Sequence, residues 1–444
     1  MKKQIIVILI EEMVLLLLVL GCIFLHEKRQ MENIENGNPM FADAAEIPLA
    51  VPENMLKTKD NVVVEEETCH ASLTAVGDIM MHSWQINRGY DAATDTFDYM
   101  ESFTYVADYL SAADFTFGNL ETTFAGRYNG ASSDVLGYAD YPMFNSPEVL
   151  GNNLKDLGFD MLATANNHSL DSWEDGVYAT LDHLDSLGIK HVGTARSQAE
   201  KDELCIVEVN GITFGFSCYT YATNGLPVPS NAPYCVNTLE MYDEACINEM
   251  CNNVKRLNEA GVDVVMPIIH FGTEYRVPTD SYQEMCVDRL FEAGADVIIG
   301  SHPHVVESME IREITNPDGS KRTGYVIYSM GNFISSQIYE PGVMKDIGVI
   351  LDMEFEKQGN QTYITEWKFT PVYVYWKDDV IGVVPVVEAY ENREKYSFLS
   401  EKDWGRIADS YSKTIETLNS KSNRKYEIID YKYCFDVYSE ISPE

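Results

Sequence analysis

The sequence predicts an α/β fold on three observations. From Ser72 onward, short apolar stretches of strand length alternate with amphipathic helical stretches. Four of the strand stretches open on one phrase, an Asp placed just after a small residue that closes a helix, and run into a metal-capable side chain. At 45% apolar and 11% aromatic, the 444 residues hold material for a large core, which excludes wholesale disorder. That length fits about three domains at ~150 residues each, or one α/β domain with appendages.

The strands follow in order. Leu73-Thr74-Ala75-Val76-Gly77 ends at Asp78. Ala113-Asp114 opens Phe115-Thr116-Phe117, which runs into Gly118-Asn119-Leu120-Glu121; Gly158-Phe159-Asp160 opens Met161-Leu162-Ala163, which runs into Asn166-Asn167-His168. Gly261-Val262-Asp263 opens a stretch ending at His270, and Gly294-Ala295-Asp296 opens one ending at His302 and His304. Six or seven extended residues span about 20 Å at ~3.3 Å each, the length of one core strand. The metal-capable residues are therefore expected just past the carboxyl ends of neighbouring strands, where open α/β sheets bind ligands. Singly, Asp78 reads as a turn or cap, Glu121 as a solvated loop residue and His270 as a strand-end histidine. Those readings together do not explain five strands that each end in Asp, Glu, Asn or His.

The donors are oxygen and imidazole, without thiolate. Such a set suits Mn, Fe or Zn, and its size exceeds the four ligands of one tetrahedral zinc. Two ions about 3.5 to 4 Å apart would use them all and support hydrolysis. Asp171, three residues after His168, is placed to orient that ring if the turn is helical. Glu274 and Tyr275 read either as cleft residues or as strand-end caps, and Asn332 reads as a turn residue or a substrate contact.

At the amino end, Lys2 and Lys3 precede a run from Ile5 to Leu25 that is apolar apart from Glu11, Glu12, Gly21 and Cys22. Residues 1–25 are expected to be a signal anchor, crossing the cell membrane once and leaving the main domain outside the cytoplasm. A cleaved signal with a weak site at Ala42 to Ala45, or a lipobox ending at Cys22, would leave the body outside as well. Residues 26–68 read as an acidic tether, 69–375 as the main domain and 376–444 as an accessory region, helical to about Ser420 and alternating from Tyr426. Trp367, Tyr373, Tyr375 and Trp376 alternate as a strand does. The nine cysteines contain no CxxC, and an Asn210-Gly211 hairpin turn sets Glu203, not Cys205, opposite Cys218, so no disulfide is expected.

The net charge is −38, of which the chain beyond residue 70 carries −32. Nucleic acid is excluded as a partner, because phosphate binding needs a basic face.

The motifs resemble those of the poly-γ-glutamate capsule synthesis (CapA) family. The residues that carry the resemblance are Val76-Gly77-Asp78-Ile79-Met80-Met81-His82, Gly118-Asn119-Leu120-Glu121 and Ala165-Asn166-Asn167-His168-Ser169-Leu170-Asp171. They continue with His270-Phe271-Gly272-Thr273-Glu274-Tyr275, Gly300-Ser301-His302-Pro303-His304-Val305 and Tyr328-Ser329-Met330-Gly331-Asn332-Phe333. The resemblance implies a calcineurin-like metallophosphoesterase fold, a four-layer α/β/β/α sandwich. It implies two divalent metal ions: Asp78 and His304 on the first, Asn167 and His270 on the second, His302 beside them, and Glu121 as the bridge. His168 would be the non-ligand histidine that protonates a leaving group. Two departures from the wider phosphoesterase pattern are visible. His82 stands four residues after Asp78 instead of two, and Glu121 takes the place of a bridging Asp. The implied partners are an anionic capsule polymer or its precursor and a membrane-bound capsule synthase complex. A non-catalytic polymer-binding or synthase-accessory role on the same fold is the alternative. The charge of −38 repels a polyanion, so contact with one is expected only in the metal-bearing crevice.

Overall fold

The computed structural model describes residues 68–129, 134–316, 318–337, 342–377, 380–422 and 424–437. The expected anchor and all of the expected tether before Thr68 lie outside the described residues. Among the described residues no helix is long and apolar enough to cross a membrane.

The chain builds half of one sheet, then a second sheet, then returns to the first. β1 (Thr68–Ile79) is followed by a small ribbon of β2 (Tyr90–Asp91) and β3 (Thr96–Phe97), then by β4 (Phe115–Leu120), β5 (Phe159–Ala163) and β6 (Lys190–Val192). A second sheet comprises β7 (Cys205–Val209), β8 (Ile212–Thr220), β9 (Val264–His270), β10 (Val297–Ser301), β11 (Met309–Thr315) and β12 (Lys321–Ile327). β13 (Asn332–Ile334), β14 (Ile347–Gln358), β15 (Gln361–Lys377), β16 (Val380–Pro385), β17 (Tyr426–Ile429) and β18 (Lys432–Phe435) then complete the first. Its order is β17-β18-β15-β14-β1-β4-β5-β6, with β13 also beside β1 and β16 beside β15. The second runs β11-β12-β10-β9-β8-β7. In both, the central strands are parallel: β1, β4, β5 and β6 in one, β8, β9, β10 and β12 in the other.

The Asp that opens each of four strands is a register clamp. Asp114 Oδ2 accepts from the Ser72 N–H at 2.9 Å and Asp160 Oδ2 from the Thr116 N–H at 3.0 Å. In the second sheet Asp263 Oδ2 accepts from the Thr213 N–H at 2.8 Å and Asp296 Oδ2 from the Val265 N–H at 2.9 Å. Each carboxylate thus satisfies an N–H of the neighbouring strand close to where the parallel pairing begins. The clamp sets the stagger between parallel strands, and with it the level at which their carboxyl ends emerge.

The sheets face one another across an apolar layer. Phe115 and Phe117 of β4 meet Phe216 of β8 with ring centroids 5.9 and 5.4 Å apart, and Phe214 meets Phe355 of β14 at 4.9 Å. The outer face of the first sheet, with Val76, Phe159 and Leu162, packs with Leu150 and Leu154 of the helix Val149–Asp156 and Leu184 of the helix Trp173–Leu187. On the second sheet, Val265, Ile269 and Ile298 pack with the helices Glu244–Glu259 and Ser281–Ala293 through Met250, Val254, Val287 and Leu290.

The region expected to be accessory continues the first sheet. β16 and β18 both pair with β15, and the helix Glu401–Leu418 reaches that strand through Asp403, which accepts from Tyr373 Oη at 2.6 Å. Trp367, Tyr373 and Tyr375 are buried, whereas Trp376 is 44% exposed. The hairpin at Asn210-Gly211 forms with both residues at positive φ, 49° and 87°, and Cys205 pairs with Phe216, two residues short of Cys218. The eight described cysteines are free thiols.

Candidate metal centre

The carboxyl ends of β1, β4, β5, β9 and β10 converge. Asp78 is the penultimate residue of β1, where Gly77 before it is indispensable: a Cβ there would sit 2.0 Å from the Gly331 carbonyl oxygen. That close approach lets β13 lie alongside β1 with Asn332 in register with Asp78. One residue beyond β4, Glu121 is wholly buried, its N–H held by the Ile79 carbonyl at 3.0 Å. Asn119 joins the two carboxylates. Its Nδ2 donates to Asp78 Oδ1 at 2.8 Å and lies 3.3 Å from Glu121 Oε2.

The histidines arrive from the second sheet. His270 ends β9, with Nδ1 2.9 Å from Ser301 Oγ and Nε2 2.7 Å from Asn167 Oδ1. Beyond β10, His302 and His304 both take left-handed φ values, 101° and 57°. For a residue bearing a Cβ that backbone is strained, and such strain gathers at functional sites. Here both side chains come inward although only Pro303 separates them. His304 Nδ1 lies 3.1 Å from both Asp78 Oδ2 and Asn332 Oδ1.

Two groups of three ligand-capable atoms result, each mutually within 4.8 Å: Asp78, Glu121 and His304 form one, Glu121, His270 and His302 the other. Glu121 belongs to both. Its Oε1 lies 3.5 Å from His270 Nε2 and 3.6 Å from His304 Nε2. Asn167 joins the second group through His270. All six residues expected as ligands are therefore brought together.

The donor set fits cations. Glu121 Oε1 and His302 Nδ1 are buried with no hydrogen-bond partner among the described residues, a costly state for a carboxylate oxygen and a ring nitrogen. Burial, then the neighbouring Asp78 and Glu274, push the Glu121 carboxyl well above its usual range. Burial, then the adjacent imidazoles, hold His270 and His302 well below theirs, so both rings are neutral and keep a lone pair for a metal.

His168 and Asp171 also meet. His168 Nδ1 is 2.6 Å from Asp171 Oδ2, which also accepts from the Phe144 N–H at 2.6 Å. Burial raises the Asp171 carboxyl, with the His168 contact opposing. His168 borders a cleft of about 890 Å3, shared with His82, Phe144, Asn167, Tyr275 and His304.

Some contributors were missed, or left between two readings, by the sequence. Asn119 sits inside Gly118-Asn119-Leu120-Glu121, yet its role as a clamp depends on the sheet-end geometry. Asn332 is neither a simple turn residue nor free for substrate: besides meeting His304, it donates to the Lys345 carbonyl at 2.7 Å. Glu274 forms a third ligand-capable group with His302 and His304. His82 stands outside these groups, and its Nδ1 accepts from the Ser336 N–H at 3.3 Å.

Comparison with known proteins identifies the family. The family model described as bacterial capsule synthesis protein PGA_cap matches residues 72–337. The chain is 28% identical over 270 residues to the PGA biosynthesis protein CapA of Bacillus subtilis (strain 168), covering 60% of this chain. That match spans 63% of the relative, under two thirds of its length. It is 26% identical over 373 residues to the capsule biosynthesis protein CapA of Bacillus anthracis, covering 82% of this chain and 81% of that relative. With a family model spanning well over half its length, the chain belongs to the bacterial capsule synthesis protein family PGA_cap, of the metallophosphoesterase-like superfamily.

Proposed function

We propose that this is a capsule biosynthesis or export protein, anchored in the cell membrane with its main domain outside the cytoplasm. On this reading its cleft is a two-metal, hydrolase-like site acting on a poly-γ-glutamate or related capsule polymer, or on its precursor. The names of the CapA relatives support the capsule role. The observation that carries the chemistry is Glu121, buried, its Oε1 without a hydrogen-bond partner among the described residues, and common to two groups of ligand-capable residues.

Asp78 and His304 would hold one divalent ion, His270, His302 and Asn167 the other, with Glu121 between them. Mn, Fe or Zn suits such oxygen and imidazole donors. Bound there, the pair would supply Lewis acidity at a phosphoryl or amide oxygen and lower the pKa of water. Asn119 keeps the Asp78 and Glu121 carboxylates at a set separation. Asp171 accepts at His168 Nδ1 and so turns Nε2 to the role of passing a proton to the leaving group. Phe144 packs edge-on against His168 at 4.7 Å and limits water on that side of the ring.

The test is metal analysis of the full-length protein and of its His302→Ala variant. Near-stoichiometric Mn, Fe or Zn in the wild type, lost in the variant together with phosphodiesterase turnover, is the expected result. A metal-free wild type with full capsule function sinks the proposal. A metal-bearing protein without turnover favours the accessory role.

A further inference from the structure

We propose that His82 is a substrate-binding donor, whose Nε2–H offers a permanent, uncharged hydrogen bond to an oxyanion held in the metal cleft. The inference rests on the two-metal reading and assigns a role to a histidine that reading leaves unused.

The tautomer follows from one contact. The Ser336 backbone N–H points at His82 Nδ1, 3.3 Å away. A backbone N–H can only donate, so Nδ1 holds a lone pair and the proton of the neutral ring sits on Nε2. The backbone of His82 is pinned as well, since its own N–H donates to Gln85 Oε1 at 2.9 Å. The ring packs edge-on against Phe144, centroids 5.0 Å apart, and Phe144 meets His168 at 4.7 Å.

His82 and His168 therefore flank one phenyl ring with opposite tautomers. On His168 the Nδ1–H donates to the Asp171 carboxylate, leaving Nε2 free to exchange a proton. On His82 the exchangeable position is occupied and the other nitrogen is blocked. Both rings border the same cleft, as do His304 and Asn167. Burial, with Asp140 opposing and His304 and His168 adding, lowers the His82 ionisation to about 4, so the ring stays neutral at working pH.

Neutrality suits the location. A tetrahedral oxyanion has more oxygens than two metal ions need, and a charged donor for the remaining ones would be repelled by the ions themselves. A neutral N–H is not. Nor does it invite the Asp140 and Glu274 carboxylates on the cleft wall to form an ion pair and close the site.

The test uses inorganic phosphate and manganese-loaded full-length protein. The His82→Ala variant is expected to bind phosphate about ten-fold more weakly, the usual loss of one hydrogen bond to a charged group, with metal content unchanged. His82→Gln, whose amide can place an N–H near the Nε2 position, recovers most of that loss. Long-range proton–nitrogen spectra of histidine-labelled protein should show His82 as the neutral Nε2–H form from pH 5.5 to 8. An Nδ1–H or cationic ring at pH 7, phosphate affinity indifferent to His82→Ala, or metal lost in that variant would each overturn the assignment. A wild type that takes up no metal sinks the two-metal reading; a metal-bearing protein whose phosphate affinity ignores His82 sinks this inference alone.

Discussion

Asn119 and Asp78, on adjacent parallel strands, are joined by a buried 2.8 Å hydrogen bond from the amide of one to the carboxylate of the other. The same amide nitrogen faces Glu121, so one side chain sets the spacing of both carboxylates. Replacing Asn119 with Ala leaves every ligand-capable group in place but frees two of them. Metal affinity is expected to fall about 10- to 100-fold, the usual effect of losing a partner that orients ligands. Titration of chelator-stripped protein with Mn, read by calorimetry, measures it; unchanged affinity would show that the carboxylates are held by other means.

The backbone at His302 makes a second expectation. At φ 101° an L side chain is strained, and only the site recovers that cost. His302→Gly and His302→Ala both delete the imidazole. The Gly variant should nonetheless be the more stable of the two, by about 1–2 kcal/mol, because glycine visits that region freely. Urea unfolding of the two variants decides it, and equal stability would mean that the loop relaxes.

Glu307 provides a pH signature distant in mechanism from the metals. It is buried, receives one hydrogen bond from Gln283 Nε2 at 2.7 Å, and burial pushes its carboxyl up to about 8. The folded protein therefore holds a proton there that the unfolded chain releases near 4.5. Its contribution to stability is full below that value and declines as pH rises towards 8, by at most about 1.4 kcal/mol per pH unit. Comparing the wild type with Glu307→Gln between pH 5 and 8, the stability difference should move against the wild type as pH rises. A constant difference would place an ionised carboxylate at Glu307 throughout.

The strand-opening aspartates should behave unlike the site. Asp160→Ala leaves the Thr116 N–H without its carboxylate and should cost about 1–3 kcal/mol of stability. Metal content per folded molecule should not change. Loss of metal at full stability would reverse the assignment of Asp160 as a clamp.

These aspartates show where the sequence was readable. Their recurrence after small residues marked the strand starts, and counting forward from them reached Glu121, Asn167, His270, His302 and His304, because strand length and side-chain period are local properties. The hairpin at Asn210-Gly211 was readable for the same reason. Asn119 was not assigned, and Asn332 and Glu274 were each left between two readings, since their roles depend on which strands become neighbours. Asn332 reaches His304 only because β13 slots in beside β1, a pairing that follows from two glycines, Gly77 and Gly331, far apart in the chain. The alternation from Tyr426 marks strands, but their return to the first sheet as β17 and β18 is a long-range choice that a local period does not announce.

The route by which the chain fills its two sheets also has a consequence for biogenesis. β1 is flanked on one side by β14, with Val76 opposite Ile350 and Thr68 opposite Gln358. About 280 residues separate the end of β1 from the end of β14, so at 5–20 residues per second the nascent chain carries β1 with one edge unpaired for about 15–60 s. An open strand edge over that interval is a template for aggregation. The emerging protein therefore needs shelter by a chaperone or by the export machinery until residue 358 has appeared, and a chain terminated before β14 should be degraded or insoluble.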